Sequence, residues 1–337
     1  MTDAVQGQST QHKKGLPWLS VWVFVLSGGL LAFMQYRLHN PVPLLAERFF
    51  PGAGWVEVFL LAGYGAFIAS KMKDPASARI WRPRIWRIFS IVFFTQFILG
   101  LSGIDKMLMT GALHIPVPAL IVAGPAFRGG GFFMVILFLS TVALVGPAWC
   151  SQLCYIGAWD DAAASRKPIP TALPRWREGV RIFMAVLVIA VALLMGGFGV
   201  PADIAAMTAI AFGLVGVGVM VWLSRKTGAM VHCTSYCPIG MFAVILGKLN
   251  PFRIRIGDGC TECGACIPAC KYNALDMQHI QNRKPAMTCT LCGDCISNCQ
   301  DRHIGFWLPG VSSHTARSVF IVMIVTLHAV FLGVARI

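Results

Sequence analysis

Seven long apolar runs, separated by short polar segments, constrain this chain more than any other feature. A membrane-spanning helix needs roughly 20 mostly apolar residues, and each run approaches that length. Only 12% of the 337 residues are charged, whereas a soluble domain carries about 25%. Too few charges remain to cover the surface of a water-soluble globule. The sequence therefore predicts an α-helical integral membrane protein with about seven spans, at about Gly15–Tyr36, Gly54–Ser70, Arg87–Ile104, Phe132–Trp149, Ile182–Phe198, Ile204–Leu223 and Ser318–Ala335.

The basic residues indicate how these spans are oriented. Segment 71–87 holds six Lys and Arg residues and segment 155–181 holds five. The loop between the first and second spans holds only two, and so does the loop between the third and fourth spans. Because basic loops stay in the cytoplasm, we expect a bacterial inner-membrane protein with a cytoplasmic N-terminus on an uncleaved signal anchor. Segment 224–317 would be cytoplasmic and the C-terminus periplasmic. The net charge of +14 is gathered in these loops, so the pattern does not indicate a nucleic-acid partner.

Eight of the twelve cysteines form a duplicated run in the polar segment before the last span. Each half reads C-x2-C-x2-C-x3-C, the spacing that binds two 4Fe–4S clusters, with the fourth cysteine of each run crossing to the other cluster. Disulfides seldom persist in a reducing cytoplasm, and zinc sites use two pairs of ligands. We therefore expect cluster one on Cys260, Cys263, Cys266 and Cys299, and cluster two on Cys289, Cys292, Cys295 and Cys270.

The other four cysteines form a second repeat at the ends of two spans. Cys150 and Cys154 follow the fourth predicted span, and Cys233 and Cys237 follow the sixth. Both pairs read C-x3-C-[Tyr/Pro]-Ile-Gly. On a helix, an i, i+4 spacing places both thiols on one face, so the two pairs are predicted to meet in one site. Sulfur ligands select an iron–sulfur centre or copper(I), while four buried structural cysteines or a redox dithiol pair are the alternatives.

These motifs resemble two known groups. Segment Gly257–Arg302 is similar to bacterial dicluster ferredoxins, although Lys271 and Gln300 stand where proline usually follows the fourth cysteine. From about Trp86 to Arg302 the chain resembles the NapH/NosR group of membrane polyferredoxins. It departs from that group at Tyr155, where the group has proline, and in having more spans than NapH. The resemblance implies electron exchange between membrane quinone and a redox partner subunit, as a quinol dehydrogenase component of a complex.

A quinone site needs an apolar slot with groups that accept protons. Asp105 ends the third predicted span, and His114 opens a proline-punctuated apolar run, so these two residues are candidates for such a site. A salt-bridged loop and a surface histidine are the structural alternative. His328, within the last span, is a further polar residue at a costly position.

Together these observations predict a membrane helical domain at 1–223 and a C-x3-C-P motif with its linker at 224–256. A small α+β dicluster ferredoxin module follows at 257–302, and a linker and the last span occupy 303–337. The leading interpretation is an electron-transfer subunit that contacts lipid, quinone and other redox proteins. The alternative is a protein that handles copper or assists the maturation of a redox enzyme, and a third is a structural anchor.

Overall fold

The computed structural model describes residues 18–38, 44–108 and 115–334. It is mostly helical, and seven of the described helices are long and apolar enough to cross a membrane. This confirms the predicted number of long apolar helices and the architecture of a multi-pass membrane protein. The helices, numbered spans 1 to 7, are Trp18–Arg37, Gly54–Met72, Pro75–Leu101, Phe133–Leu153, Arg177–Gly197, Ala202–Thr227 and Ser313–Val334.

Span 3 begins twelve residues earlier than the sequence analysis placed it, so most of the expected basic loop is helix. The side chain of Asp74 accepts a hydrogen bond of 2.9 Å from the Ser77 amide, and Pro75 occupies the first helical position. Both are strong helix-start signals. Arg82 is buried within this helix because it bonds Asp294 of the polar insert, while Arg79, Arg84 and Arg87 occupy exposed positions of the same helix.

Span 2 carries Glu57 near its start, and a short helix explains how the carboxylate is accommodated. The helix Leu45–Phe49 precedes the span, and the Ala46 amide donates a hydrogen bond of 2.7 Å to Glu57 Oε2. The carboxylate thus satisfies a donor at a helix start, where a negative charge is favourable.

Shorter elements connect the spans. Four contribute to the sites below: the helices Gly157–Ala164 and Pro238–Leu246 and the π-helical turns Trp149–Leu153 and His232–Tyr236. The others are Asp105–Met107, Leu120–Arg128, Ile267–Ala269, Met277–Gln281 and Ile296–Asn298.

Two strands frame the cysteine-rich insert between spans 6 and 7. β1 (Arg253–Ile256) pairs antiparallel with β2 (Ile304–Trp307), with Arg253 opposite Trp307 and Ile256 opposite Ile304. The buried face of the pair rests on span 7, where the Phe306 and Phe320 rings stack at 4.5 Å. The insert is therefore fixed against the end of the helical bundle.

The spans pack in two groups. Spans 1, 2 and 7 contact one another, while span 5 contacts helix Leu120–Arg128, helix Pro238–Leu246 and the π turn His232–Tyr236. In their most apolar 18-residue stretches, only 17% of the residues of span 5 and 11% of those of span 6 are buried. Large apolar side chains such as Leu214 and Trp222 lie exposed on them, as expected for helices that face lipid.

Candidate functional site

The eight cysteines of the insert lie around two separate cavities. Cys270, Cys289, Cys292 and Cys295 line one, with about 320 Å³ of empty volume, and Cys260, Cys263, Cys266 and Cys299 line the other, with about 300 Å³. The fourth cysteine of each run lies with the first three of the other run. Among the described residues, no three His, Cys, Asp or Glu side chains are grouped to hold a single metal ion. The thiols form the walls of two similar spaces.

The backbone of the insert repeats with its cysteines. Glu262 and Leu291, 29 residues apart, both take left-handed conformations at φ 56°. Gly264 and Gly293, also 29 residues apart, have φ 72° and 81°. Left-handed backbone is costly for a residue with a Cβ and clusters at functional sites. Each run thus curls around its cavity through the same unusual turn.

The larger cavity has the polar lining that an iron–sulfur cluster requires. The Ala274 amide donates to Cys270 Sγ at 3.2 Å, a bond of the kind that tunes cluster potentials. Tyr272 and Thr290 also line this cavity, and their buried hydroxyls have no hydrogen-bond partner. Buried polar groups are nearly always satisfied, so these hydroxyls fit a bound group that accepts hydrogen bonds.

The thiols of this cavity are poor acids until they bind a metal. Burial raises the pKa of Cys270, Cys289 and Cys292 to about 12 each, so the free thiols are neutral at pH 7. A coordinated thiol is deprotonated outright. Because metal binding releases these protons, the buried thiols suit a highly charged cluster better than isolated thiolates.

The two C-x3-C pairs share one local structure. Cys150 and Cys233 each lie in a five-residue π-helical turn. Cys154 and Cys237 follow in extended backbone, at φ −77°, ψ 115° and φ −73°, ψ 118°. The expected α-helical i, i+4 arrangement is wrong, because the helix widens to i→i+5 bonds at the first cysteine and ends before the second. Such π turns often mark functional sites.

The Ile-Gly dipeptide after each pair has the same role in both repeats. Its two amides favour the thiolate form of the second cysteine, those of Ile156 and Gly157 at Cys154 and those of the matching residues 239 and 240 at Cys237. A Cβ on Gly157 would lie 2.8 Å from the carbonyl oxygen of Cys150, and one on Gly240 would lie 2.7 Å from that of Cys233. Glycine is required because the chain turns back on its own first cysteine.

The four thiols of the two pairs lie close enough to interact electrostatically. Burial raises the pKa of Cys233 well above its usual value. The nearby Asp160, Cys237, Cys154 and Cys150 raise it further. The Asp160 carboxylate accepts a 2.9 Å hydrogen bond from the Cys233 amide. Because Asp160 lies in the helix that follows the first cysteine pair, this bond joins the first repeat to the second. The two repeats are therefore neighbours in the fold, and we term their four cysteines the membrane cysteine site.

A buried arginine faces this site. Arg181 of span 5 is 5% exposed and acts electrostatically on Cys150, Cys237 and Cys233. One guanidinium nitrogen donates to the Gly240 carbonyl, while Nε has no partner. A charge buried at membrane depth is costly unless it is paired. Anionic sulfur at the four cysteines would supply the missing counter-charge.

A buried ion-pair network joins the larger insert cavity to the spans. Arg82 of span 3 donates to both carboxylate oxygens of Asp294, at 3.0 and 2.6 Å, and to the Ser151 carbonyl at 2.9 Å. Asp161 pairs with Lys271 at 2.8 Å and lies 3.8 Å from Arg82. Although burial opposes ionisation, Arg82 and Lys271 hold the pKa of Asp161 below its usual value. Asp294 lies between Cys292 and Cys295 of the larger cavity. The network therefore holds this cavity beside Ser151 and the first membrane cysteine pair.

Asp105, one of the two quinone-site candidates, is not brought together with the cysteines. Asp105 is exposed in the turn Asp105–Met107 beyond the far end of span 3, and His114 lies outside the described residues. Trp86, whose indole donates a 2.7 Å hydrogen bond to the Cys154 carbonyl, marks the level of the membrane cysteine site on the same helix. At 1.5 Å per residue, Leu101 is roughly 20 Å further along.

Several residues of the site escaped the sequence analysis. Arg82 and Arg181 were counted only as loop charges that set topology, and Asp161 and Tyr272 were not considered. The signal for the two arginines was weak but present, since both stand next to long apolar runs in which a charge needs a partner. Tyr272 follows a cysteine and carries no pattern of its own.

Comparison with known proteins gives a family match over the segments that hold the membrane cysteine pairs. A family model described as a 4Fe-4S binding domain matches residues 125–171 and 209–257, and these segments contain Cys150, Cys154, Cys233 and Cys237. No curated protein matches the chain, and neither does any solved structure. The two matched segments coincide with the structural repeat. The chain is accordingly an iron–sulfur protein of the ferredoxin type with multiple membrane helices.

Proposed function

We propose that this protein is a membrane electron-transfer subunit that relays electrons between the quinone pool and a redox partner. The relay would comprise a 4Fe–4S cluster at the membrane cysteine site and two more in the insert. When bound, such clusters carry single electrons at potentials that the surrounding residues set. The observation that carries this proposal is that the matched 4Fe-4S segments contain the two cysteine pairs, whose repeats are joined by the hydrogen bond between Asp160 and the Cys233 amide.

Direct contacts between the sites support a relay. The Ser151 hydroxyl, next to Cys150, donates a 3.0 Å hydrogen bond to the carbonyl of Thr290, next to Cys289. The Met230 amide donates to the Lys271 carbonyl at 2.9 Å, which holds the second cysteine pair against the insert. These contacts hold the membrane cysteine site next to the larger cavity, which favours electron tunnelling between them.

Exposure of the cysteines indicates where a partner would receive electrons. Cys263 is exposed, whereas Cys270 and Cys295 of the larger cavity are buried. The smaller cavity therefore lies at the solvent side of the insert. We propose that cluster one exchanges electrons with a partner subunit docked on this face. By the loop charges, this face is cytoplasmic and the C-terminus periplasmic, and reporter fusions after Arg255 and Ile337 would test that assignment.

One buried pair offers proton handling closer to the membrane cysteine site than Asp105 does. His328 of span 7 is 1% exposed, and its Nε2 lies 3.0 Å from the Tyr64 hydroxyl of span 2. Its Nδ1 is buried without a hydrogen-bond partner. The imidazole lies near the backbone of Gln152, which is between Cys150 and Cys154 in the sequence. Since quinol oxidation releases protons, this pair supports placing the quinone reaction near the cysteines.

Rapid mixing with a reduced short-chain quinone tests the proposal. The protein in lipid nanodiscs should show bleaching of cluster absorbance on mixing. A Cys150→Ser or Cys233→Ser variant should lose this reduction and still be bleached by dithionite, because its insert cysteines are intact. His328→Gln should slow quinol-linked reduction, whereas Asp105→Asn serves as the matched control. Wild-type bleaching rates in both cysteine variants would contradict a role for the membrane cysteine site in the relay.

A further inference from the structure

Tyr272 lines the larger cavity, next to Lys271, whose carbonyl accepts a 2.9 Å hydrogen bond from the Met230 amide near the second cysteine pair. Tyr272 is 3% exposed and follows Cys270 by two residues. Its side chain is part of the wall of the larger cavity, and its hydroxyl has no partner in the described structure. Burial raises the pKa of Tyr272 well above its usual value, Cys233 and Cys292 raise it further, and Arg82 opposes them.

The position is specific to the cavity that faces the spans. The residue 29 positions after Tyr272 in the repeat is Asp301, which is exposed. Asp301 already accepts a 2.9 Å hydrogen bond from the Thr261 hydroxyl. The smaller cavity therefore lacks a buried, unpartnered phenol at the matching position. The duplicated module differs here at the one site that adjoins the membrane cysteine site.

A buried hydroxyl without a partner is costly, roughly 1–3 kcal/mol in general, so the protein would be expected to satisfy it when its sites are filled. The neighbouring acceptors are the sulfur atoms of Cys233 and of Cys292, which lines the same cavity. Hydrogen bonds to the sulfurs of a cluster favour its reduced, more negative state and raise its potential. The aromatic ring is buried in the wall of the larger cavity.

Building on the proposed function, we propose that the Tyr272 hydroxyl donates a hydrogen bond to a sulfur of cluster two or of the membrane cluster. In this role it is the contact that couples the two centres. One electron leaves one centre and arrives at the other, and the hydroxyl keeps its proton throughout. The ring provides the packed path, and the hydrogen bond sets how the electron is shared between the two centres.

The test compares wild-type protein with Tyr272→Phe in lipid nanodiscs exchanged into deuterium oxide. Electron–nuclear double resonance on the reduced protein should detect strongly coupled exchangeable deuterons in the wild type, one of which is lost in the variant. Redox titration should show the electron-sharing equilibrium between the two centres shifted by about 2- to 10-fold, the equivalent of one hydrogen bond. Tyr272→Leu, which also removes the ring, should slow electron exchange further than Tyr272→Phe does.

Tyr36→Phe is the matched control, because the Tyr36 side chain is 70% exposed on span 1. It should leave the deuteron signal and the titration unchanged. An unchanged deuteron coupling and unchanged potentials in Tyr272→Phe would overturn the inference. If the wild-type protein instead carried no cluster at the membrane cysteines, the proposed relay itself would fail, and iron content separates these two results.

Discussion

Arg82 and Asp294 form a two-pronged ion pair across 212 residues of sequence. Arg82 Nε and Nη2 donate to the two carboxylate oxygens at 3.0 and 2.6 Å, and the two side chains are only 2% and 10% exposed. The third guanidinium donor reaches the carbonyl of Ser151, beside the first membrane cysteine. One side chain in span 3 thus positions a loop of the insert against the cysteine pair at the end of span 4.

Removing this arginine should loosen the insert. Arg82→Met leaves Asp294 buried without its partner, which typically costs about 3–5 kcal/mol. Urea unfolding of the insert, followed by its cluster absorbance, would measure the change. The exposed Arg84→Met is the control. The double variant Arg82→Met, Asp294→Leu should recover most of the loss, because it leaves no unpaired charge. A single variant as stable as wild type would contradict this assignment.

The two motif glycines should not tolerate a methyl group. A Cβ on Gly157 would lie 2.5 Å from the Trp86 ring, and one on Gly240 would lie 2.7 Å from the Cys233 carbonyl oxygen. Gly157→Ala and Gly240→Ala should each destabilise the protein by about 1–3 kcal/mol and lower the iron content of the membrane site. Gly179→Ala, whose Cβ meets nothing within 4 Å, should do neither. Full iron occupancy in both motif variants would show that the close approach is unimportant.

The guanidinium of Arg181 should raise the potential of a cluster at the membrane cysteine site. A nearby positive charge favours the additional electron, so Arg181→Gln should lower the midpoint potential of that cluster in a redox titration. Arg175→Gln removes an exposed charge that bonds only Gln278, and its titration should match the wild type. If Arg181→Gln titrates at the wild-type potential, the arginine is not the counter-charge.

Exposure of the cysteines predicts the order in which iron is lost. Cys263 is exposed, whereas three of the four membrane cysteines are buried. Under mild oxidation with a chelator, cluster one should disappear first and the membrane cluster last. Electron paramagnetic resonance of samples taken at intervals would resolve the three losses. Simultaneous loss of all signals would instead indicate that the chain unfolds as a whole.

Much of the fold follows from local sequence properties. Length and apolarity alone locate the seven spans, because no other structure satisfies the backbone of such runs in lipid. The predicted start of span 3 is wrong because a run of basic residues in the sequence favours a loop, whereas the helix begins at Pro75. The Asp74–Pro75 start signal was the better guide, and those basic side chains are accommodated by partners far along the chain, as Asp294 is for Arg82.

The grouping of the cysteines follows from spacing, while their surroundings do not. The spacing of the two runs predicts which four thiols share a cavity, and the repeat around Cys150 and Cys233 predicts that the pairs meet. The π turns were missed because an i, i+4 spacing fits an ordinary helix equally well. The placement of Tyr272 and Arg181 depends on how the insert docks on the spans, which no local pattern encodes.

The iron content of purified protein is the most direct test of the central claim, that the membrane cysteines hold a cluster in addition to the two in the insert. Three clusters of four irons predict about 12 irons per chain with matching inorganic sulfide and no copper. Cys150→Ser and Cys233→Ser should each reduce this to about 8, leaving the paramagnetic resonance signals of the insert intact. About 8 irons in the wild type, unchanged in both variants, would contradict the claim, and so would copper bound at these cysteines.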